Sequence, residues 1–266
     1  DDLFADKVAI VSGAGSGIGR AAAYRFARLG ARLVLAGRDA GRLEETASGL
    51  RELGAEVLAV EMTIRDPEAV VRLVDQAVDR FGAIHVLLNN AGGQFAQPAI
   101  DFSVKGWQAV IDTNLNGTWY MMQAAGRHWR STATPGVIVN IVTGISRGMP
   151  GIAHSCAARA GVIYLSRSLA VEWAPLGIRI NCVAPGAVAT EGLDNYPLLA
   201  GRDAWGANPQ HRFGDADDVA DLCCYLASPG MSFMTGEVVT LDGGQQLWGE
   251  MWPAGRPTWF APPSWT

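Results

Sequence analysis

Two stretches of the chain carry residues whose types and spacing suit chemistry. The first is Ser12–Gly19, SGAGSGIG, which places Gly13, Gly17 and Gly19 between a β-branched run (Lys7–Ser12) and a segment of helical spacing (Gly17–Leu29). Glycines without a Cβ let the backbone approach a pyrophosphate, and a helix N-terminus adds free N–H groups and a partial positive charge. A glycine pattern alone is weak, but a strand before it and a helix after it make it specific. Gly13, Ser16, Gly17, Ile18 and Gly19 are therefore candidate dinucleotide contacts; the plain alternative is a tight structural turn. The second stretch is Ile138–Gly161, IVNIVTGISRGMPGIAHSCAARAG, where Thr143, His154, Ser155 and Arg159 gather along a strand, a loop and the start of a helix.

The end of the second strand selects between dinucleotides. A carboxylate there would hold a ribose 2′-hydroxyl. Here the chain reads Ala36-Gly37-Arg38, with no acid at Gly37. Arg38 can fork onto a 2′-phosphate, which favours NADP(H); a solvated arginine is the alternative. Asp39 is better explained as a helix cap.

These residues need a scaffold, and the pattern supplies one. Strands read at Lys7–Ser12, Arg32–Ala36, Val57–Val60, Ile84–Leu88, Val137–Val142, Ile178–Val183 and Glu237–Leu241. Helical spacing reads at Gly17–Leu29, Asp39–Leu53, from Pro67 to Phe81, within Gly106–His128, at Ala153–Trp173 and at Asp215–Leu226. Alternating strands and helices predict an α/β fold: a doubly wound, Rossmann-type, seven-stranded parallel sheet with helices on both faces. No composition break divides it, so residues 1–252 read as one domain and 253–266 as a Pro/Trp-rich tail.

Composition narrows the function classes. The chain has 266 residues, 49% hydrophobic and 18% charged, as a globular protein does. A net charge of −5 without a basic run argues against nucleic acid. No apolar run approaches a membrane span, and the N-terminal DDLFADK lacks a signal-peptide pattern. Cys156, Cys182, Cys223 and Cys224 lack framework spacing and read as reduced thiols, so a cytoplasmic location is expected. His85, His128, His154 and His211 are scattered, so no metal site is expected and they read as surface or pocket-edge residues.

With SGAGSGIG, Asn89-Asn90-Ala91-Gly92, Thr113-Asn114-Leu115 and Pro185-Gly186-Ala187-Val188-Ala189-Thr190 in hand, the chain resembles the short-chain dehydrogenase/reductase family over nearly its whole length. The resemblance implies that Asn90, Ala91 and Gly92 flank the adenosine ribose. It implies that Val188 meets the nicotinamide carboxamide and Thr190 the phosphates, in the turn begun by Pro185 and Gly186. Thr63, followed by Ile64, stands where the family has an adenine-contacting acid. The family's catalytic Asn, Ser, Tyr and Lys fall on Asn114, Thr143, Ser155 and Arg159. Spacing of four puts the last two on one helix face. Threonine keeps a hydroxyl, and arginine keeps charge and ribose donors. Serine for tyrosine is the serious departure, because its hydroxyl is shorter and far less acidic.

These departures, with Gly92-Gly93-Gln94-Phe95, Lys105-Gly106-Trp107 and Asn181–Gly186, are similar to the peroxisomal trans-2-enoyl-CoA reductase branch and its bacterial relatives; the terminal Ser264-Trp265-Thr266 is no peroxisomal address. The resemblance implies an NADPH-dependent reductase of a C=C bond conjugated to a carbonyl, with acyl-CoA as a candidate small-molecule substrate. Two alternatives stand: a ketone reductase or alcohol dehydrogenase, and a non-catalytic NADP-binding subunit. His154 lies about 100° off the Ser155 face and reads as a pocket-edge residue. Tyr164, nine residues after Ser155, should face away, and Tyr196 lies in a loop that could reach substrate. The tail tryptophans Trp248, Trp252, Trp259 and Trp265 are expected to pack over a neighbouring subunit, a pocket mouth or their own surface. Apolar excess on Gly106–His128 and Ala153–Trp173, with the resemblance, implies a homodimer or homotetramer.

Overall fold

The computed structural model describes residues 2–144, 146, 148–192 and 208–247. Its first strand, β1 (Val8–Ser12), is buried at every position and runs directly into the glycine loop. Next come α1 (Gly17–Arg28), β2 (Arg32–Gly37), α2 (Ala40–Glu52), β3 (Val57–Glu61), α3 (Pro67–Phe81) and β4 (Val86–Asn89). Beyond a loop, α4 (Val104–Ile111) and α5 (Thr118–Thr132) are joined by a π-helical segment, Asp112–Gly117. The chain continues through β5 (Gly136–Ile141), α6 (Ala153–Trp173) and β6 (Ile178–Pro185). A short β7 (Val188–Ala189) pairs with β8 (Gly214–Asp215), and α7 (Ala216–Ala227) and β9 (Val238–Leu241) follow.

Seven strands form one parallel sheet in the order β3-β2-β1-β4-β5-β6-β9. The strand order turns back between β1 and β4, and such a switch point opens a crevice at the carboxyl ends of the strands. Alternate strand residues feed opposite layers, as a period of two requires. Ala9, Val11, Leu33 and Leu35 pack with α1, α2 and α7 through Phe26, Leu43, Leu50 and Cys223. Val8, Ile10, Val34 and Leu87 pack with α3, α5 and α6 through Leu73, Met122, Trp129 and Leu169. The expected doubly wound sheet is thus observed.

Local chemistry fixes the helix starts. Asp39 accepts from Arg42 N at 3.0 Å, confirming it as a cap. Asp66 caps α3 with Pro67 in the first turn, and Asp215 and Asp218 form a reciprocal capping box on α7. The helix expected within Gly106–His128 is interrupted: the π turn shifts the hydrogen-bond register between α4 and α5 and carries Asn114. No helix among the described residues is long and apolar enough to cross a membrane. The four cysteines are free thiols. Tyr196 and the tail tryptophans lie outside the described residues.

Candidate active site

The glycine loop is built so that nothing larger fits. Gly13 and Gly17 hold φ of +67° and +51°, a region that L side chains rarely adopt. A Cβ on Gly19 would collide with the carbonyl oxygen of Gly13 and with the Asn90 side chain. Asn90 Nδ2 donates to the carbonyls of Ser12 (3.0 Å) and Gly13 (3.2 Å). Ser12 Oγ accepts the amides of Asn90 (3.1 Å) and Ala91 (3.0 Å). The Asn90 side chain therefore braces the start of the loop. Thr190 closes the other side: its Cγ2 lies 3.3 Å from where a Gly17 Cβ would stand. Buried Val188 sits just before it, after the turn at Pro185 and Gly186. The Gly186 amide bonds to Leu241 O at 2.9 Å, anchoring that turn to β9.

At the carboxyl end of β2, Gly37 ends the strand and Arg38 is exposed. Among the described ion pairs, none involves Arg38. Thr63 Oγ1 accepts from Arg65 N at 3.3 Å, and Ile64 packs against Gly117. Thr63 and Ile64 therefore shape the turn after β3 and touch the π segment.

The catalytic candidates converge beneath this crevice. Asn114, 1% exposed, grips Gly93 from both sides: its Oδ1 accepts Gly93 N at 2.9 Å and its Nδ2 donates to Gly93 O at 3.0 Å. The same Nδ2 reaches Ser155 Oγ at 3.4 Å. Ser155 is also buried, 1% exposed. Arg159 lies one turn further along α6, and its Nη1 donates to Ile141 O at 2.8 Å. A Cβ on Gly92 would collide with Arg159 Nη2, so glycine at 92 is what admits the guanidinium. Burial draws the Arg159 pKa down to about 10, which still leaves it protonated at neutral pH. Among the described ion pairs, none joins Arg159 to a carboxylate. Its charge is open to an anion. Thr143, at the end of β5, is half-buried, and its hydroxyl faces Met149 Sδ at 4.0 Å. The structure thus joins Asn114 to Ser155 and sets Arg159 one helical turn beyond Ser155, while the Thr143 hydroxyl contacts Met149.

A buried polar chain keeps α6 in place. Asn89 Nδ2 donates to Asn140 Oδ1 and Asn140 Nδ2 to Ser166 Oγ, each at 2.9 Å. Cys182 Sγ donates to Ser166 Oγ at 3.3 Å, and burial pushes that thiol up to about 11. This chain of hydrogen bonds links β4, β5, α6 and β6, and so ties the helix that carries Ser155 and Arg159 to the sheet.

Two expectations are corrected or extended. His154 is not at a pocket edge: it is fully buried, stacked on Phe102 at 4.3 Å and edge-on to Phe95 at 4.5 Å. The loop after Gly93 folds those rings over it. Its Nδ1 accepts Ser155 N at 2.7 Å, and Nε2 is buried without a partner. Tyr164 does face away, 72% exposed. Sequence reasoning missed Arg20 and Glu191, which meet at the mouth of the glycine loop, and Arg42, whose Cβ lies 3.0 Å from where a Gly15 Cβ would stand.

A glycine loop with no room for a side chain at Gly13 or Gly19, a helix N-terminus, and a buried cation near Asn114 and Ser155 together form an arrangement that suits a dinucleotide-dependent oxidoreductase. The residues fit a nicotinamide dinucleotide on those grounds. The chain belongs to the short-chain dehydrogenase/reductase family: residues 13–246 match the family described as enoyl-(acyl carrier protein) reductase. It is 38% identical over 248 residues to a probable 2,4-dienoyl-CoA reductase of Bacillus subtilis, covering 91% of this chain and 97% of that one. It is 39% identical over 252 residues to the peroxisomal 2,4-dienoyl-CoA reductase of Rattus norvegicus, covering 92% and 86%. A crystal structure of a short chain dehydrogenase from Bacillus anthracis superposes with a TM-score of 0.84 at 38% identity, covering 91% and 98%.

Proposed function

We propose that the protein is an NADPH-dependent reductase of a C=C bond conjugated to a thioester carbonyl, with an enoyl- or dienoyl-CoA as substrate. The observation that carries this reading is the composition of the buried cluster: Asn114, Ser155 and Arg159 offer hydrogen-bond donors and a positive charge, and no acid. The cofactor supplies hydride when bound. Adding hydride to a conjugated thioester leaves the negative charge on an enolate oxygen. That charge needs donors at the oxygen, where reduction of a ketone to an alkoxide needs a proton at once. Asn114 Nδ2, its two hydrogens held by Gly93 O and Ser155 Oγ, orients the serine; the Ser155 hydroxyl proton is the donor, and Arg159, desolvated and in no ion pair among those described, supplies the countercharge. The proton for carbon then comes from solvent. The dienoyl-CoA reductases among the relatives support this substrate class. The exposed Arg38 and the absence of an acid at Gly37 support NADPH over NADH.

The test is oxidation of NADPH and NADH with a 2-enoyl- or 2,4-dienoyl-CoA, set against the matching 3-oxoacyl-CoA. Turnover of the unsaturated thioesters with NADPH is expected. Turnover of the 3-oxoacyl thioester alone would sink this reading in favour of a ketone reductase. Turnover of neither, across chain lengths, would favour a non-catalytic dinucleotide-binding subunit.

A further inference from the structure

The N-terminus of α1 has no local anion. Ser16, at the cap position, makes no side-chain capping hydrogen bond, and the first turn contains no Asp or Glu. The anion comes instead from a residue 174 positions further along the chain. Glu191 Oε2 accepts Gly17 N at 3.0 Å, and Glu191 Oε1 pairs with Arg20 Nη1 at 3.1 Å. Arg20 is held in turn by Gly15 O, 2.7 Å from its Nη2, while its Nε is buried without a partner. Gly17 N lies in the glycine loop at the N-terminus of α1, where the dinucleotide reading places the pyrophosphate. Thr190, one residue before Glu191, lies 3.3 Å from where a Cβ on the same glycine would stand.

We propose that Glu191 is an internal competitor for the cofactor's pyrophosphate. Its carboxylate neutralises the Gly17 amide and Arg20 in the free protein and yields both when the dinucleotide docks. This rests on the dinucleotide reading above. A carboxylate and a pyrophosphate repel one another at one helix terminus, and an amide N–H donates fully to only one of them. Part of the binding energy is then spent on moving Glu191, so the measured affinity understates that of the open cradle. The Glu191 side chain is 48% exposed, so it can swing into water without disturbing the core. Once released, Arg20 keeps a guanidinium at the mouth of the cradle to face the phosphates.

The experiment is calorimetric titration of wild type, Glu191→Gln and Glu191→Ala with NADPH, NADH and adenosine 2′-monophosphate. The last ligand lacks a pyrophosphate. Both variants should bind NADPH and NADH about threefold to tenfold more tightly, the scale of an anion at a helix N-terminus with one partly exposed ion pair. Affinity for adenosine 2′-monophosphate should not change. A merely structural Glu191 predicts the opposite sign, so unchanged or weaker dinucleotide binding overturns the proposal. Equal tightening for adenosine 2′-monophosphate overturns it too, as a general charge effect. Failure of the wild type to bind either dinucleotide overturns the functional reading itself, and this inference with it.

Discussion

A serine hydroxyl where a phenol would otherwise stand changes what its neighbours must do. Ser155 is too weak an acid to deliver a proton on demand; its oxygen accepts from Asn114 Nδ2 at 3.4 Å, which leaves its own proton to serve, in the proposed reaction, as one hydrogen-bond donor to the enolate oxygen. Ser155→Ala should therefore lower kcat about tenfold to a hundredfold, the cost of one donor to a developing oxyanion. Ser155→Tyr should lose more, because a ring must enter a space in which Ser155 and Asn114 are each 1% exposed. Arg159→Ala should lose most, since it removes the open buried cation and leaves a void beneath Gly92. Steady-state kinetics at saturating NADPH, with cofactor binding measured in parallel, separates these outcomes. If Ser155→Ala abolishes turnover while NADPH still binds, serine is an obligatory proton carrier and the account based on donors is wrong. The types of these residues could be read from the sequence, but their relations could not. Nothing near residue 92 announces that its glycine exists to admit a guanidinium from α6. Nor does anything near Glu191 announce a partner at Gly17.

At the scale of elements, the periodic segments were legible because local pattern and tertiary burial agree. α3 and α6 span the residues that spacing predicts, and Asp39 caps where its side chain suits. The π turn was not legible, since a shift of hydrogen-bond register leaves little trace in the side-chain pattern. His154 was misread for a related reason: helical angle gives its direction, and only the Phe95–Phe102 loop decides that the direction is buried. That burial has a consequence for stability. Burial lowers the His154 pKa, and it lowers those of His85 and His128, with Lys7 and Arg32 adding to the effect at His85. Each histidine then binds its proton less well in the folded state than in the unfolded chain, where the pKa is about 6.5. Stability is full above that value and falls as pH drops from about 6.5 through the depressed folded values. The urea midpoint should therefore decline between about pH 7 and pH 5. His154→Gln, which removes one titrating group, should show a shallower decline, even though its midpoint at pH 7.5 is lower. A slope identical to wild type would show that His154 does not titrate across the transition.

At the scale of the whole molecule, the two helices flanking the active site carry apolar side chains that the monomer leaves in water. On α6, Tyr164 is 72% and Val171 78% exposed, and a spacing of seven aligns them along one stripe. On α4, Val104 is 73% and Trp107 39% exposed, with Ile100 just before the helix at 93%. α4 and α6 pack against each other, so both exposed sets lie on neighbouring helices. Single exposed apolar residues are ordinary, but two stripes on neighbouring helices form the kind of patch that a soluble protein covers. The same helices carry Ser155, Arg159 and, through the π turn, Asn114, so an interface here would brace the catalytic cluster from outside. We therefore expect a homodimer or homotetramer, with α6 pairing against a second copy and two-fold symmetry matching each stripe to itself. Light scattering at micromolar concentration should give a multiple of the 28.2 kDa chain mass. Val171→Glu, which places like charges opposite each other across a two-fold axis, should shift the mass down and lower kcat without touching a residue of the site. A wild-type monomer, or a Val171→Glu protein of unchanged mass, would place the contact elsewhere or nowhere.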